Sequence, residues 1–284
     1  MEPTLVIAGL SALTIQQYRC LMNNRVKLAL EDVIDMIKSS RLCMFLAWFD
    51  IRIRYRRSKI GPFWITISMA IFIIALGVVY SKLFNMAPDE YLPNLAAGYL
   101  FWTLIASTIS EAPTIFIDNA AYLKDMKINL LIFIFRALAR NTIIFLHNAL
   151  FIMFVSFYFK IWPQFQTLLV IPGLFLVLLN LFWITLFFGI VGARYRDLAP
   201  IIQSMVQVLF FVSPITWLPK LVGEDSWVVM FNPIAYFLDL TRAPILNQTP
   251  ALSSWAITAG ISIVGFAVSL LLYAYKRDRI VYWI

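Results

Sequence analysis

Residues 41–64 read RLCMFLAWFDIRIRYRRSKIGPFW, and this stretch predicts an amphipathic helix that leads into a membrane span. A helix turns 100° per residue, so apolar residues three or four positions apart share one face. One wide apolar stripe contains Leu42, Phe45, Leu46, Phe49 and Ile53. A narrower stripe on nearly the opposite side contains Trp48, Ile51 and Tyr55.

The end of this helix is basic and is followed by a Gly61–Pro62 break and a long apolar run. Basic side chains beside an apolar run are typical of a helix that lies at the surface of an anionic membrane leaflet. We therefore predict an amphipathic interface helix over 41–60, with an ordinary cytosolic helix as the alternative. The basic residues at its end are Arg52, Arg54, Arg56, Arg57 and Lys59.

The composition of the whole chain predicts an integral membrane protein. Of its 284 residues 62% are hydrophobic and 13% are charged, and the mean hydropathy is +0.83. Soluble domains are about half apolar and a quarter charged. A chain of this length has room for about six spans of ~20 residues and for no large ATPase domain. The first residues lack a basic segment, so we expect no cleaved signal peptide.

We expect an all-α membrane domain over 61–279 with six spans, preceded by a cytosolic lead-in over 1–40 that contains a short helix near 31–38. Both cysteines, Cys20 and Cys43, precede the first span, and we expect no disulfide there. The predicted spans are 62–84, 92–110, 141–159, 168–191, 198–213 and 253–275.

Two connections between the predicted spans are unusual. Residues 118–140 are amphipathic, and Arg136 and Arg140 share a face because they are four positions apart. This segment is our candidate for docking a partner that supplies energy, through Tyr122, Lys124, Asp125 and Lys127; a helix lying on lipid is the alternative. Residues 214–250 are apolar but contain five prolines, which favours short re-entrant helices.

The positions of the basic residues predict the orientation. Of the 23 Lys and Arg residues, 19 fall on the N-terminal segment and on the connections that share its side of the membrane. Because cytoplasmic loops are enriched in Lys and Arg, both termini are predicted to be cytoplasmic.

The chain shows no motif for catalysis, metal binding or nucleotide binding. It has no P-loop, and its single histidine and two cysteines are too few for a usual metal cluster. We interpret His147 as a helix–helix contact in preference to a proton relay. Glu111, the acid nearest a span interior, is either a helix-terminus residue or a gate residue. No cofactor is expected to bind this chain.

Aromatic residues make up 16% of the chain. Most of the Trp and Tyr side chains fit aromatic belts at the membrane surfaces. A few are candidates to line a conduit in which aromatic rings pack against sugar C–H groups. Those candidates are Trp64, Tyr80 and Trp183.

Three stretches together resemble one family. Residues 47–64, AWFDIRIRYRRSKIGPFW, are similar to the W-x-D-I-x-x-R-Y-R-x-S-x-x-G-P-x-W entry to the first span of ABC-2-type export permeases. Residues 136–148, RALARNTIIFLHN, and the pair Asn232-Pro233 followed by residues 239–246, DLTRAPIL, also resemble that group. Many of its members carry a proline after the lysine at 127, where this chain has Ile128.

The resemblance is strongest to the transmembrane subunits of O-antigen and lipopolysaccharide transport systems. It implies a homodimer in the bacterial inner membrane, with two partner subunits that bind ATP and Mg²⁺. The cargo implied is a polysaccharide on undecaprenyl pyrophosphate, which passes through a channel at the dimer interface. Contact with its pyrophosphate is a second role for the interface helix, besides anchoring to anionic lipid, through Trp48, Arg52, Arg54, Arg56 and Arg57.

Other functions fit less of the sequence. Capsule and teichoic-acid exporters, and ABC-2 exporters of small molecules, differ from the first interpretation in cargo alone. An ion-driven flippase of lipid-linked oligosaccharides is expected to keep charged residues inside its spans. An enzyme acting on polyprenyl-linked sugars needs a catalytic base and usually an acidic metal site, and neither is evident.

Overall fold

The computed structural model describes residues 25–56, 60–61, 63–125, 128–222 and 226–284. All regular structure in this described part is helical, which confirms the all-α part of the predicted fold class. The first helix, α1, covers residues 25–38, so it starts earlier than the short helix predicted near 31–38. The rest of the predicted lead-in, residues 1–24, lies outside the described residues.

The remaining helices fall into a long group and a short group. The long helices are α2 (Ser40–Arg54), α3 (Phe63–Leu83), α4 (Pro88–Glu111), α6 (Leu131–Tyr158), α7 (Val170–Arg194), α8 (Leu198–Val212), α11 (Pro233–Ile245) and α12 (Leu252–Trp283). The short helices are α5 (Ala120–Asp125), α9 (Pro219–Val222) and α10 (Trp227–Met230). Two 3₁₀ turns, Ala112–Thr114 and Phe165–Leu169, follow α4 and precede α7.

Five helical stretches of the described chain are long and apolar enough to cross a membrane. They are Phe63–Leu83, Pro88–Thr114, Leu131–Tyr158, Phe165–Arg194 and Leu252–Trp283. The other predicted span, 198–213, corresponds to α8, whose 15 residues reach only ~22 Å against a hydrocarbon layer of ~30 Å. The count of six spans therefore stays a prediction.

Helix α4 lies at the centre of the bundle and packs against α3, α6, α8 and α11. Its buried side includes Leu100, Phe101 and Leu104, which join one large apolar cluster. Helices α7 and α12 form the second packing unit, with α11 against both.

The interface helix is shorter than predicted, because α2 ends at Arg54 and the predicted helix ran to residue 60. Four of the five residues in its wide apolar stripe are exposed, as expected for contact with lipid, and Leu46 is half-buried. Its buried side packs on α6. That buried side consists of Cys43, Ala47 and Ile51. The narrow stripe is divided between two environments, because Ile51 is buried against the bundle whereas Trp48 is 53% exposed.

The predicted coupling segment, 118–140, is two elements instead of one. Its first part contains the six-residue helix α5. Its last ten residues belong to α6, which begins at Leu131 and not near the predicted start of the third span at 141. Arg136 and Arg140 consequently lie on the first turns of a long helix.

The proline-rich region 214–250 forms the short helices α9, α10 and α11, none of which is long enough to cross a bilayer. Asn232 caps α11 by accepting from the Ile234 N–H at 3.0 Å, and Arg242 donates to the Pro214 carbonyl at 2.7 Å. The Asp239 carboxylate accepts from the Ala251 N–H and from the Ser254 hydroxyl at the start of α12. Polar residues of the NP and DLTRAP stretches thus hold α11 to the elements on either side.

One close helix contact depends on glycine. Gly192 of α7 lies against the backbone of Pro113, and a Cβ at this position would overlap the Pro113 carbonyl group. Because this neighbour is backbone in a turn between α4 and α5, it has little freedom to move. The glycine therefore lets α7 approach the 3₁₀ turn Ala112–Thr114 closely.

We predict that Gly192→Ala lowers the thermal stability of the detergent-solubilised protein, since overpacking costs about 1–3 kcal/mol. Gly260→Ala is the matched control, because Gly260 lies in α12 and an added Cβ meets nothing within 4 Å. The control should be neutral or slightly stabilising. Melting followed by loss of the monodisperse chromatographic peak measures both; equal melting temperatures for Gly192→Ala and wild type would contradict the packing argument.

Candidate functional site

Four charged side chains meet where α2, α4 and α6 converge; we call Asp50, Glu111, Arg136 and Arg140 the ionic cluster. Arg136 binds Asp50 with two parallel hydrogen bonds, Nε to Oδ2 at 2.8 Å and Nη2 to Oδ1 at 2.5 Å. Arg140 Nη1 donates to the same carboxylate at 3.2 Å. The two arginines that the sequence places on one face therefore share one acid.

Arg140 also joins the cluster to the end of α4. Its Nη2 donates to Glu111 Oε1, and Asn141 Nδ2 donates to Glu111 Oε2 at 3.3 Å. Two carboxylates thus neutralise two guanidinium groups. Leaving one of these charges without its partner would be costly, because the side chains of Arg140 and Asp50 are only 12% and 15% exposed.

Small residues on α2 allow this approach. Cys43 and Ala47 are fully buried, so the backbone of α2 comes close to α6 and brings Asp50 within reach of Arg136. Burial raises the pKa of the Cys43 thiol, which therefore acts as a neutral packing group. Asp50 is the one acidic residue of α2, and its carboxylate accepts hydrogen bonds from both arginines of α6.

An open cavity of about 450 Å³ adjoins the ionic cluster. Besides the cluster itself, Arg54, Asp118 and Asn119 line it. Arg54 is exposed, and Asn119 accepts from Arg136 at 3.5 Å while donating to the Ile115 carbonyl. The cavity lies beside the segment that leads into α5.

A second cavity, of about 580 Å³, opens between α2, α3, α4 and α6. Hydroxyl and amide groups line it together with aromatic rings, although most of the surrounding bundle is apolar. Arg54 and Tyr55 contribute to the lining from the end of α2. The polar residues are Ser68, Tyr99, Thr103, Ser107, Asn141 and Asn148, and the rings of Phe72 and Phe145 accompany them.

The predicted coupling residues lie on or beside α5. Tyr122, Lys124 and Asp125 are exposed there, and the Tyr122 ring lies 6.5 Å from the Phe133 ring of α6, measured between centroids. Lys127 lies outside the described residues. The exposed positions leave these side chains accessible to a partner, and their role stays a prediction.

The predicted phosphate contacts lie at the end of α2. Arg52, Arg54 and Arg56 are exposed, whereas Arg57 lies outside the described residues. Only Arg54 of these lines both cavities.

The three predicted channel-lining aromatics are not brought together. Trp64 is exposed at the start of α3, and Tyr80 near the end of α3 stacks on Phe84 with 5.5 Å between centroids. Trp183 lies in the interface of α7 with α12, where its ring packs on Gly265 and its Nε1 donates to Asn180 at 3.0 Å. Within a single chain, these three residues therefore do not form one channel lining.

The helix–helix contact expected of His147 is made by its backbone carbonyl and by the side chain of its neighbour Asn148. His147 Nδ1 lies 2.9 Å from the Ile143 carbonyl of its own helix, and it is the Asn148 side chain that reaches α3, accepting from Thr66 at 3.1 Å.

Glu111 is the last residue of α4, which confirms the helix-terminus interpretation. Sequence reasoning missed Asp50, although a single acid in a helix otherwise apolar and basic was an available signal.

We predict that Asp50→Asn releases α2 from α6, because it leaves two buried guanidinium groups with one carboxylate. Breaking a buried ion pair costs about 3–5 kcal/mol. Limited trypsin digestion should then cut after Arg52 or Arg54 faster than in wild type. Asp118→Asn is the control, since Asp118 lines the same cavity but its carboxylate accepts only from the Thr114 hydroxyl among the described contacts. Equal cleavage rates for the two variants would show that the cluster does not hold α2.

Comparison with known proteins places this arrangement in a family. A family model described as ABC-2 type transporter matches residues 41–246, well over half of the chain. The chain is also similar to "O-antigen export system permease protein RfbA" from Klebsiella pneumoniae, with 24% identity over 229 residues, 77% of this chain and 87% of the relative. With five helices in its described part able to cross a membrane, this chain is a multi-pass membrane protein that belongs to the ABC-2 type transporter family.

Proposed function

We propose that this chain is the transmembrane subunit of an ATP-driven exporter that moves a lipid-linked polysaccharide of the O-antigen type out of the cytosol. The observation that carries the proposal is the ionic cluster. It connects the interface helix α2 to α4 and α6, the two membrane helices on either side of α5. A partner that displaces α5 would therefore move both of these helices and α2 together.

The energy source is proposed to be a separate subunit that binds ATP and Mg²⁺. The chain carries no P-loop, and the described residues contain no group of His, Cys, Asp or Glu that could hold a metal ion. Membership of the ABC-2 family supports an ATP-binding cassette partner. We place its docking surface at the exposed side chains of α5.

Two copies of the chain are proposed to form the transport path. Helices α3 and α8 are neighbours, since the rings of Phe72 and Phe210 lie 6.4 Å apart between centroids. Both helices also keep large apolar side chains exposed, among them Ile71 on α3 and Phe211 on α8. In a homodimer these adjacent faces would meet the second copy, and in a bilayer their remainder would contact lipid.

A hydroxyl-rich cargo is supported by the 580 Å³ cavity. Hydroxyl and amide groups can exchange hydrogen bonds with sugar hydroxyls, while the accompanying rings pack against sugar C–H faces. The similarity to an O-antigen export permease supports the same cargo class, with a capsular polysaccharide or teichoic acid as the second candidate.

The exposed arginines at the end of α2 are proposed to meet the pyrophosphate of a lipid carrier such as undecaprenyl pyrophosphate. Guanidinium groups bind phosphate oxygens through paired, charge-assisted hydrogen bonds. Arg54 is best placed for this role because it lines the cavity with the hydroxyl groups. The proposed location is the bacterial inner membrane with both termini cytoplasmic, in agreement with the distribution of Lys and Arg.

We predict that replacing Tyr122 and Lys124 together by Ala lowers the ATPase activity of the reconstituted complex, since both side chains are exposed on the proposed docking helix. Membrane insertion should be unchanged. Lys220→Ala, on the short helix α9, is the control for loss of an exposed lysine. ATPase activity and surface polysaccharide both equal to wild type would exclude coupling through α5.

We also predict that Ser107→Leu lowers the amount of surface polysaccharide, because it replaces a hydroxyl in the lining of the 580 Å³ cavity by a larger apolar group. ATP hydrolysis should continue, since Ser107 belongs to α4 and not to the proposed docking helix α5. Ser110→Leu changes the same residue type one turn later, where the side chain does not line the cavity. Gel analysis of extracted polysaccharide compares the variants, and normal export by Ser107→Leu would remove the cavity from the transport path.

A further inference from the structure

Helix α1, residues 25–38, precedes the region matched by the family model and packs on the bundle beside α5. Its central acid, Asp32, is only 6% exposed. A buried carboxylate is costly unless other groups compensate for its charge. The contacts of Asp32 therefore show what α1 is attached to.

The Asp32 side chain binds the far end of the last long helix. Oδ2 accepts from the hydroxyl of Tyr273 at 2.7 Å and pairs with Arg277 Nε at 2.7 Å. Oδ1 accepts from Arg277 Nη2 at 2.9 Å. Three short contacts thus tie the middle of α1 to α12, 241 and 245 positions away along the chain.

The backbone of the same residue binds the connection between α5 and α6. Asn129 Nδ2 donates to the Asp32 carbonyl at 2.6 Å, and Asn129 Oδ1 accepts from the Leu131 N–H at 2.9 Å. Leu131 is the first residue of α6. Asp32 therefore links α12 to the loop that follows α5.

Apolar contacts reinforce the same three-way junction. Ala29 and Met36 lie on the side of α1 that carries Asp32, three and four positions from it. They belong to one buried cluster with Leu123 of α5 and with Ala274 and Ile280 of α12. The Tyr273 side chain is also fully buried. Helix α5 thus has its single buried residue, Leu123, in the cluster that α1 completes.

Tyr273 and Arg277 together compensate the buried acid, and Arg277 supplies the opposite charge. Burial raises the pKa of Asp32, while the Tyr273 hydrogen bond and the Arg277 charge act in the opposite direction; Glu31 and Asp35 on α1 raise it further. Replacing Arg277 should therefore destabilise the buried Asp32 carboxylate, and replacing Asp32 should weaken the attachment of Arg277 to α1.

We propose that α1 is a brace that holds the coupling helix α5 and the last membrane helix α12 in one fixed arrangement, with Asp32 as its positioning residue. A six-residue helix has too few hydrogen bonds to be rigid alone, so α5 needs support to transmit a displacement. The brace extends the proposed function, on which it rests for the source of that displacement. Through α1, movement of α5 reaches α12 as well as α4 and α6.

The distance between α5 and α12 tests the brace directly. Spin labels at Lys124→Cys and Tyr282→Cys are both at exposed positions, and the native Cys20 and Cys43 are replaced by Ser and Ala. Pulsed electron paramagnetic resonance on the purified full chain then gives the distance distribution between the labels. We expect a narrow distribution in wild type and one about twice as wide in Asp32→Asn, because the charged contacts to Arg277 are weakened.

Asp35→Asn is the matched control for this measurement. Asp35 lies on the same helix, but its carboxylate is exposed and pairs only loosely with Lys38 at 3.7 Å. Its distribution should match wild type. An Asp32→Asn distribution as narrow as that of the control would overturn the brace, whatever the cargo of the protein is.

A charge exchange keeps the test valid if Asp32→Asn does not fold. Arg277→Asp alone should broaden the distribution, and Asp32→Arg combined with Arg277→Asp should narrow it again. Tyr273→Phe is milder, since it removes one hydrogen bond and keeps the ion pair. Failure of the exchange to narrow the distribution in a folded double variant would count against the proposal.

Transport in the complex with the ATP-binding subunit separates the brace from the proposed function. We expect Asp32→Asn to lower export per ATP hydrolysed roughly fivefold, the size of a modest coupling free energy. Normal export per ATP in a variant with a broadened distance distribution would overturn transmission through α1. Absence of ATP-dependent export in wild type would instead reject the proposed function, and the distance measurement would still decide the brace.

Discussion

The structure depends most on the neutralisation of charge where α2, α4 and α6 meet. Arg136 and Arg140 lie on the first turns of a helix that continues into an apolar bundle, and neither can be left unpaired there at low cost. Asp50 satisfies both, and Glu111 completes the balance from the end of α4. Because the acids come from two other elements, the requirement for neutrality also fixes the position of α2 and the direction in which α4 ends.

Polar groups elsewhere in the bundle are used in a similar way. At the other end of the chain, Asn232 and Arg242 fasten α11 to the segment after α8, and Asp239 fastens it to the start of α12. The stretches that make the chain resemble a permease family therefore contain many residues whose partners are other parts of the same chain. Hydrogen bonds between helices are strong in this setting, since an apolar surrounding offers polar groups no competing water.

The neighbours of helix α5 determine which other helices a displacement of α5 would move. On one side, α4 and α6 flank it and are joined to α2 by the ionic cluster. On the other side, α1 connects the loop after α5 to α12. In the proposed exporter, a displacement of this one short helix is distributed over the three long helices α4, α6 and α12 and over the interface helix α2 that carries the arginines. Transport of a bulky polymer is consistent with such a concerted movement.

Much of this arrangement was predictable from the sequence, because hydropathy and helical spacing are local properties. The first span, predicted over 62–84, is the helix Phe63–Leu83, and Arg136 and Arg140 share a face as their spacing requires. Only the tertiary structure decided that Cys43 and Ala47, and not Trp48, face the bundle, since close approach of helices selects small side chains regardless of hydropathy. It alone decided the partners of Asp50 and Asp32 as well. An ion pair is set by the meeting of elements that lie 86 or 245 positions apart, and no local pattern records that meeting.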